Sequence, residues 1–174
     1  LLDERLGSRS LDRDRIAAFL EGRRGRPVLI GVGDRRYREA GRELAEWLKE
    51  RWQIDARTTA AGPRASCRKA YMDSFGYTRY GADPVHADVL VGNVQDNALM
   101  WRFQSCQGWV GWLPVEINRD FPGPGRAVVM LSAPVETQAD GGPGGREAAQ
   151  QLVIGGSSPA EAMLGVRGLR KAVR

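Results

Sequence analysis

The chain holds a single histidine, His86, so any imidazole chemistry must run through it. Ser157 in a triad or Cys106 in a dyad would supply the nucleophile, provided the fold brings nucleophile and base to hydrogen-bond distance. Asp83, His86 and Asp88 offer oxygen and nitrogen donors of the kind a divalent metal accepts. The plainer reading of those three is a polar turn entering a buried strand, and no metal is expected. Gly31-Val32-Gly33-Asp34-Arg35-Arg36 begins like a dinucleotide fingerprint, but Arg36 stands where a third glycine would let the helix pack close. Neither a G-x-x-x-x-G-K-[ST] phosphate loop nor a G-x-S-x-G nucleophile elbow occurs. On these grounds no catalytic residue and no cofactor is assigned.

Two looser constellations remain. Three runs of Val, Leu and Ile each stop at a glycine, and polar residues follow: Gly31, Gly33 and Asp34; Gly92, Asn93 and Asn97; Gly155, Gly156, Ser157 and Ser158. In open α/β sheets ligands sit outside the carboxyl ends of the strands, where glycines admit them to the backbone and helix N-termini offer free N–H groups. These are therefore the candidate ligand-binding residues. The competing account is that the glycines only make tight strand-to-helix turns. The second constellation is aromatic: Trp101, Phe103, Trp109 and Trp112 would stack on sugar rings or on a protein if exposed, or flank the sheet if buried.

The elements that must position these residues follow from periodicity. Continuous apolar runs at 28–32, 87–92 and 150–155 read as strands covered on both faces. Ile54 to Thr58 and 127–133 supply two more, and Trp109 to Ile117 reads as an extended, edge-like segment. Between them, Tyr37, Ala40, Gly41, Leu44, Ala45 and Leu48 give a helix over 35–51 capped by Asp34, with charged residues on its outer face. Asp96 or Asn97 can cap a helix over 98–105, and Ser158-Pro159-Ala160-Glu161 forms a capping box that opens a helix over 159–172. Residues 60–86 lack periodicity and are long enough to conceal a short element. Alternating strands and helices predict an α/β fold of three layers. Its sheet is mainly parallel, with about five strands, helices on both faces and room for an antiparallel edge hairpin, in the flavodoxin/Rossmann-like manner.

A chain of 174 residues suits one domain with a substantial core. We assign residues 1–26 to an N-terminal linker with a short helix carrying Ile16, Phe19 and Leu20, and 27–174 to a single α/β domain. Lys and Arg number 26 against 21 Asp and Glu, for a net charge of +5, yet the arginines are scattered rather than clustered as a nucleic-acid footprint would be. The densest group, Arg23, Arg24 and Arg26, reads as a solvated linker, and no nucleic acid is expected as a partner. The apolar runs fall short of the roughly 18 residues that cross a bilayer, so no membrane span is expected. Leu1-Leu2-Asp3-Glu4 is not an export signal, and a start without Met fits a fragment or processed product. Cys67 and Cys106 match no CxxC spacing; one disulfide and two buried thiols are both compatible with them.

Ala87-Asp88-Val89-Leu90-Val91-Gly92-Asn93 with Asp96-Asn97, Leu113-Pro114, Phe121-Pro122-Gly123-Pro124-Gly125 and Leu152-Val153-Ile154-Gly155-Gly156 together form a further pattern. Over residues 27–172 it resembles the accessory α/β domains of large bacterial carbohydrate-active and cell-envelope proteins, including the flavodoxin-like domains of the cellulose synthase periplasmic subunit. The resemblance implies a non-catalytic scaffold beside a catalytic or sugar-binding module. Its partners would be other domains of the same polypeptide or complex, or polysaccharide, and its setting secreted or in the cell envelope. No catalytic residue is carried over. Two other functions are compatible with the residues: a small-ligand, nucleotide-binding or enzymatic domain using the glycine loops, and a carbohydrate-binding module using Trp101, Trp109 and Trp112.

Overall fold

The computed structural model describes residues 10–60, 70–72, 78–80, 87–100, 117–131 and 150–173. Helix α1 (Ser10–Glu21) is followed by strand β1 (Pro27–Val32), a single 3-10 turn at Arg35–Tyr37, helix α2 (Arg38–Trp52) and strand β2 (Asp55–Ala60). Strands β3 (Ala70–Met72) and β4 (Thr78–Tyr80) form a separate antiparallel pair inside the aperiodic stretch. Strands β5 (Val89–Gly92), β6 (Val128–Leu131) and β7 (Leu152–Gly155) and helix α3 (Pro159–Ala172) complete the order.

The five-stranded sheet runs β2-β1-β5-β7-β6. Its first four strands are parallel, and β6 closes the edge antiparallel to β7. The three glycine-ended runs are thus the three inner strands, and β5 and β7 are buried at every position. Polar Asp55-Ala-Arg-Thr-Thr-Ala60 and half-buried Val128 to Leu131 take the two edges, where one side of the ladder faces away from the sheet. Strand order reverses between β1 and β5, because β2 lies on one side of β1 and the rest of the sheet on the other. That reversal is the place where a ligand crevice opens in folds of this kind.

The three helices among the described residues pack on one face. Val28, Ile30, Val32, Val89, Val91, Leu152 and Ile154 meet Leu44 and Leu48 of α2, Val166 and Leu169 of α3, and Ile16, Phe19 and Leu20 of α1 in one core. The short helix expected in the N-terminal segment is therefore part of the layer that covers the sheet. Arg23, just beyond it, lies over the Phe19 ring at 3.5 Å and donates to Asp88 Oδ1 and the Gln150 carbonyl, which ties the end of α1 to the starts of β5 and β7. On the opposite face Leu90, Val153, Val128 and Met130 are closed by Val94, Leu99, Met100 and Ile117. Among the described residues no complete helix lies on that second face; the chain has just become helical at 98–100.

Helix boundaries follow local chemistry. Asp34 accepts from the Arg36 N–H at 2.9 Å and starts the 3-10 turn. Helix α2 ends at Gln53, whose φ of 57° turns the chain left-handed while its N–H reaches the Leu48 and Lys49 carbonyls. Ser158 caps α3 by accepting from the Ala160 N–H at 3.2 Å, with Pro159 in the first turn.

Candidate functional site

The expected ligand-binding residues meet at one place, the carboxyl ends of β1, β5 and β7. Asn93, directly after β5, is fully buried. Its Oδ1 accepts from the N–H groups of Gln95 and Asp96, both at 3.0 Å, and fixes the turn that follows. Its Nδ2 points into a knot of oxygen atoms: Tyr37 Oη at 2.9 Å, Asp96 Oδ2 at 3.1 Å and the Ser157 carbonyl at 3.2 Å. One side chain thereby joins the ends of β1, β5 and β7.

Asn97 closes the switch point. Its Nδ2 donates to the carbonyls of Gly31 and Val91, each at 2.9 Å, one on β1 and one on β5. Its Oδ1 accepts from Leu99 at 3.0 Å and Met100 at 3.2 Å, capping the helical start. An amide offers two donors and two acceptor lone pairs, and Asn97 has protein partners for all of them at 0% exposure.

Asp96 is the third buried polar residue here, and its acidity is set by its neighbours. Tyr37 Oη donates to Oδ2 at 2.8 Å, while the Nη2 atoms of Arg36 and Arg119 reach Oδ1 at 3.1 and 2.7 Å. Burial pushes the carboxyl upward, but the donors Arg119, Tyr37 and Asn93 outweigh it and hold Asp96 below the usual carboxylate range. Burial and the adjacent carboxylate push the Tyr37 phenol far above its usual value. A carboxylate held this way is a poor general base, and a phenol this weakly acidic is a poor acid near neutrality. Among the described residues the network ties the turn after β1, the turn after β5 and the start of α3 together.

The glycines are filled by the protein itself. A methyl group on Gly33 would stand 2.8 Å from the Asp96 carbonyl oxygen and 3.0 Å from Tyr37 Cδ2. On Gly31 it would meet Leu99 Cδ1 at 2.8 Å, on Gly155 Ile117 Cδ1 at 2.5 Å, and on Gly156 the Ala162 nitrogen at 2.3 Å. Gly92 has a φ of +134°, which a side chain rarely adopts. The space beside each strand end is therefore taken by Asp96, Leu99, Ile117 or the first turn of α3. Ser157 contributes its carbonyl, and Ser158 hydrogen-bonds Glu161, whose Oε1 also accepts from the Gly125 N–H at 3.2 Å. That last contact docks the Phe121-Pro122-Gly123-Pro124-Gly125 turn, with its cis Phe121-Pro122 bond, on the start of α3.

Asp34 sits at the rim and pairs with Arg36 through both oxygens, Oδ2 to Nη2 at 2.6 Å and Oδ1 to Nε at 3.0 Å. Asp88 stands at the opposite end of the sheet, where Oδ2 accepts from the Leu29 N–H at 2.9 Å and Oδ1 from Arg23. His86, Asp83, Cys67, Cys106, Trp101, Phe103, Trp109 and Trp112 lie outside the described residues. Among the described residues no group of three His, Cys, Asp or Glu side chains is placed to hold a metal, and no helix is long and apolar enough to cross a membrane.

Tyr37, Arg36 and Arg119 were not legible as site residues. Tyr37 fits the apolar stripe of a helix, and only the local run Asn93 to Asn97, rich in capping side chains, signals that the turn is built of polar contacts. Compared with known proteins, the chain matches no family model, no curated protein and no solved structure.

Proposed function

We propose that this chain is a non-catalytic α/β accessory or scaffold domain of a larger bacterial carbohydrate-active or cell-envelope protein, packing against or positioning its other domains. The observation that supports this most is the closed switch point. Asn97, Asn93 and Tyr37 occupy the place where an α/β enzyme holds its ligand, and their polar atoms are satisfied by the protein. The setting comes from the resemblance of the strand ends and of the Phe121 to Gly125 turn to accessory domains of that kind. With it goes the finer architecture, a three-layer flavodoxin-like fold with helices on both faces of the sheet.

Two measurements test the proposal together. Purified chain is assayed for turnover of nucleotide and glycoside reporter substrates, and hydrogen exchange is compared between this chain and the full gene product. Background turnover and added protection over one contiguous face in the longer protein are expected. Turnover abolished by Asn93→Ala, or identical exchange in both proteins, would overturn it.

A further inference from the structure

The outer rim of the closed crevice has an arrangement that the scaffold role does not require. Arg36, from the turn after β1, and Arg119, from the segment before β6, place their Nη2 atoms on the same oxygen, Asp96 Oδ1. The Asp96 side chain is 3% exposed, whereas those of Arg36 and Arg119 are 53% and 62% exposed. The Asp96 carboxylate lies inside and the guanidinium groups outside, with the Asp34 carboxylate, its side chain 24% exposed, beside Arg36. Arg36 is oriented further by Asp34, which engages its Nε and Nη2. Among the described residues, Nη1 of Arg36 and both Nε and Nη1 of Arg119 have no acceptor, leaving at least one free donor nitrogen on each of two adjacent planar groups.

We infer that Arg36 and Arg119 form a docking point for one oxyanion, a carboxylate or a phosphate group. Two guanidiniums whose Nη2 atoms share one acceptor on the inside are close enough for one oxyanion to span them on the outside. Charge-assisted, two-point donation from arginine is the geometry that carboxylates and phosphates select. Asp34 and Asp96 fix the arginines before any ligand arrives, which lowers the ordering cost of binding. The site gives the scaffold reading a contact chemistry. It rests on that reading only in that the anion is held and does not react.

The test titrates the wild-type chain at constant ionic strength with inorganic phosphate and, separately, with glucuronate, following the arginine Nε–H resonances by NMR. Saturable shifts confined to Arg36 and Arg119, with dissociation constants of about 1 to 10 mM, are expected for at least one probe, and the two arms separate phosphate from carboxylate. Arg119→Lys keeps a cation on Asp96 but loses the free guanidinium donors, and should weaken binding about tenfold, as should Arg36→Lys. Arg51→Lys, on the far end of α2, should leave it unchanged. The inference fails if neither probe saturates by about 100 mM, a concentration at which a site with a millimolar constant would be filled. It also fails if the Arg51 variant weakens binding as much as the other two. Those failures leave the turnover and exchange experiments above untouched, so the two readings fall separately.

Discussion

Replacing Asn97 with alanine removes four hydrogen bonds in one step: two from Nδ2 to the Gly31 and Val91 carbonyls and two accepted by Oδ1 from Leu99 and Met100. Each is worth about 1 kcal/mol net, and more where a buried partner is left without water. At 0% exposure no solvent replaces the amide, so the loss should be about 4 kcal/mol. For a domain of this size that corresponds to a Tm lower by roughly 8 to 16 °C. Thermal unfolding followed by circular dichroism, paired with urea denaturation at unchanged m-value, measures it. A residue kept for binding would behave in the opposite way, its truncation leaving stability unchanged or raised. A loss under about 0.5 kcal/mol, the range of ordinary surface substitutions, would refute the claim that Asn97 is a structural clasp.

Other perturbations report on separate parts of the account. Gly156→Ala places a methyl group 2.3 Å from the Ala162 nitrogen, a backbone atom, and should cost about 2 to 3 kcal/mol in urea unfolding; a neutral result would mean α3 is not held where we describe it. Gln53→Gly relieves a left-handed non-glycine residue and should stabilise by about 1 kcal/mol, visible as a higher Tm; a destabilised variant would contradict the φ of 57°. Asp96→Asn tests linkage. The folded-state pKa of Asp96 is depressed, so its contribution is present above the unfolded value of about 3.9 and is lost as pH falls through the folded one. The variant should therefore be less stable than wild type at pH 7, with the two stability curves converging in acid. Glu161, also held low by Ser158, cancels in the difference curve, whereas Asp34, held low by Arg36 and raised by the Asp96 charge, moves further down in the variant, so the difference reports the Asp96–Asp34 cluster; parallel curves would refute the assignment.

What could be read in advance divides along the range of the interactions. Val28 to Val32, Val89 to Gly92 and Leu152 to Gly155 are legible as inner strands because burial on both faces leaves an unbroken apolar run. The start of α3 is legible because Ser158, Pro159 and Glu161 act within one turn. The direction of β6 is not: Val128-Val-Met-Leu131 carries no signal of direction, and pairing antiparallel to β7 is settled by the rest of the sheet. Nor is the nature of the site. The local run Asn93 to Asn97 reads as capping residues, and so it proves at Asn97. The buried role of Asp96 depends on Tyr37 and Arg119, far away in sequence. The strand-end glycines look alike in the sequence, yet Gly33 is required by the Asp96 carbonyl, Gly155 by Ile117 and Gly156 by the first turn of α3.

The central claim is that the strand-end crevice is a closed structural seam. Native-state hydrogen exchange at the Gly156 amide, which bonds the Gly92 carbonyl at 3.1 Å, and at the Asn97 amide, which bonds the Asn93 carbonyl at 2.9 Å, tests it most directly. Both amides should exchange only through global unfolding, at a rate unaltered by nucleosides or neutral sugars. Rapid local exchange that such a ligand suppresses would show an open, occupied crevice and contradict the account.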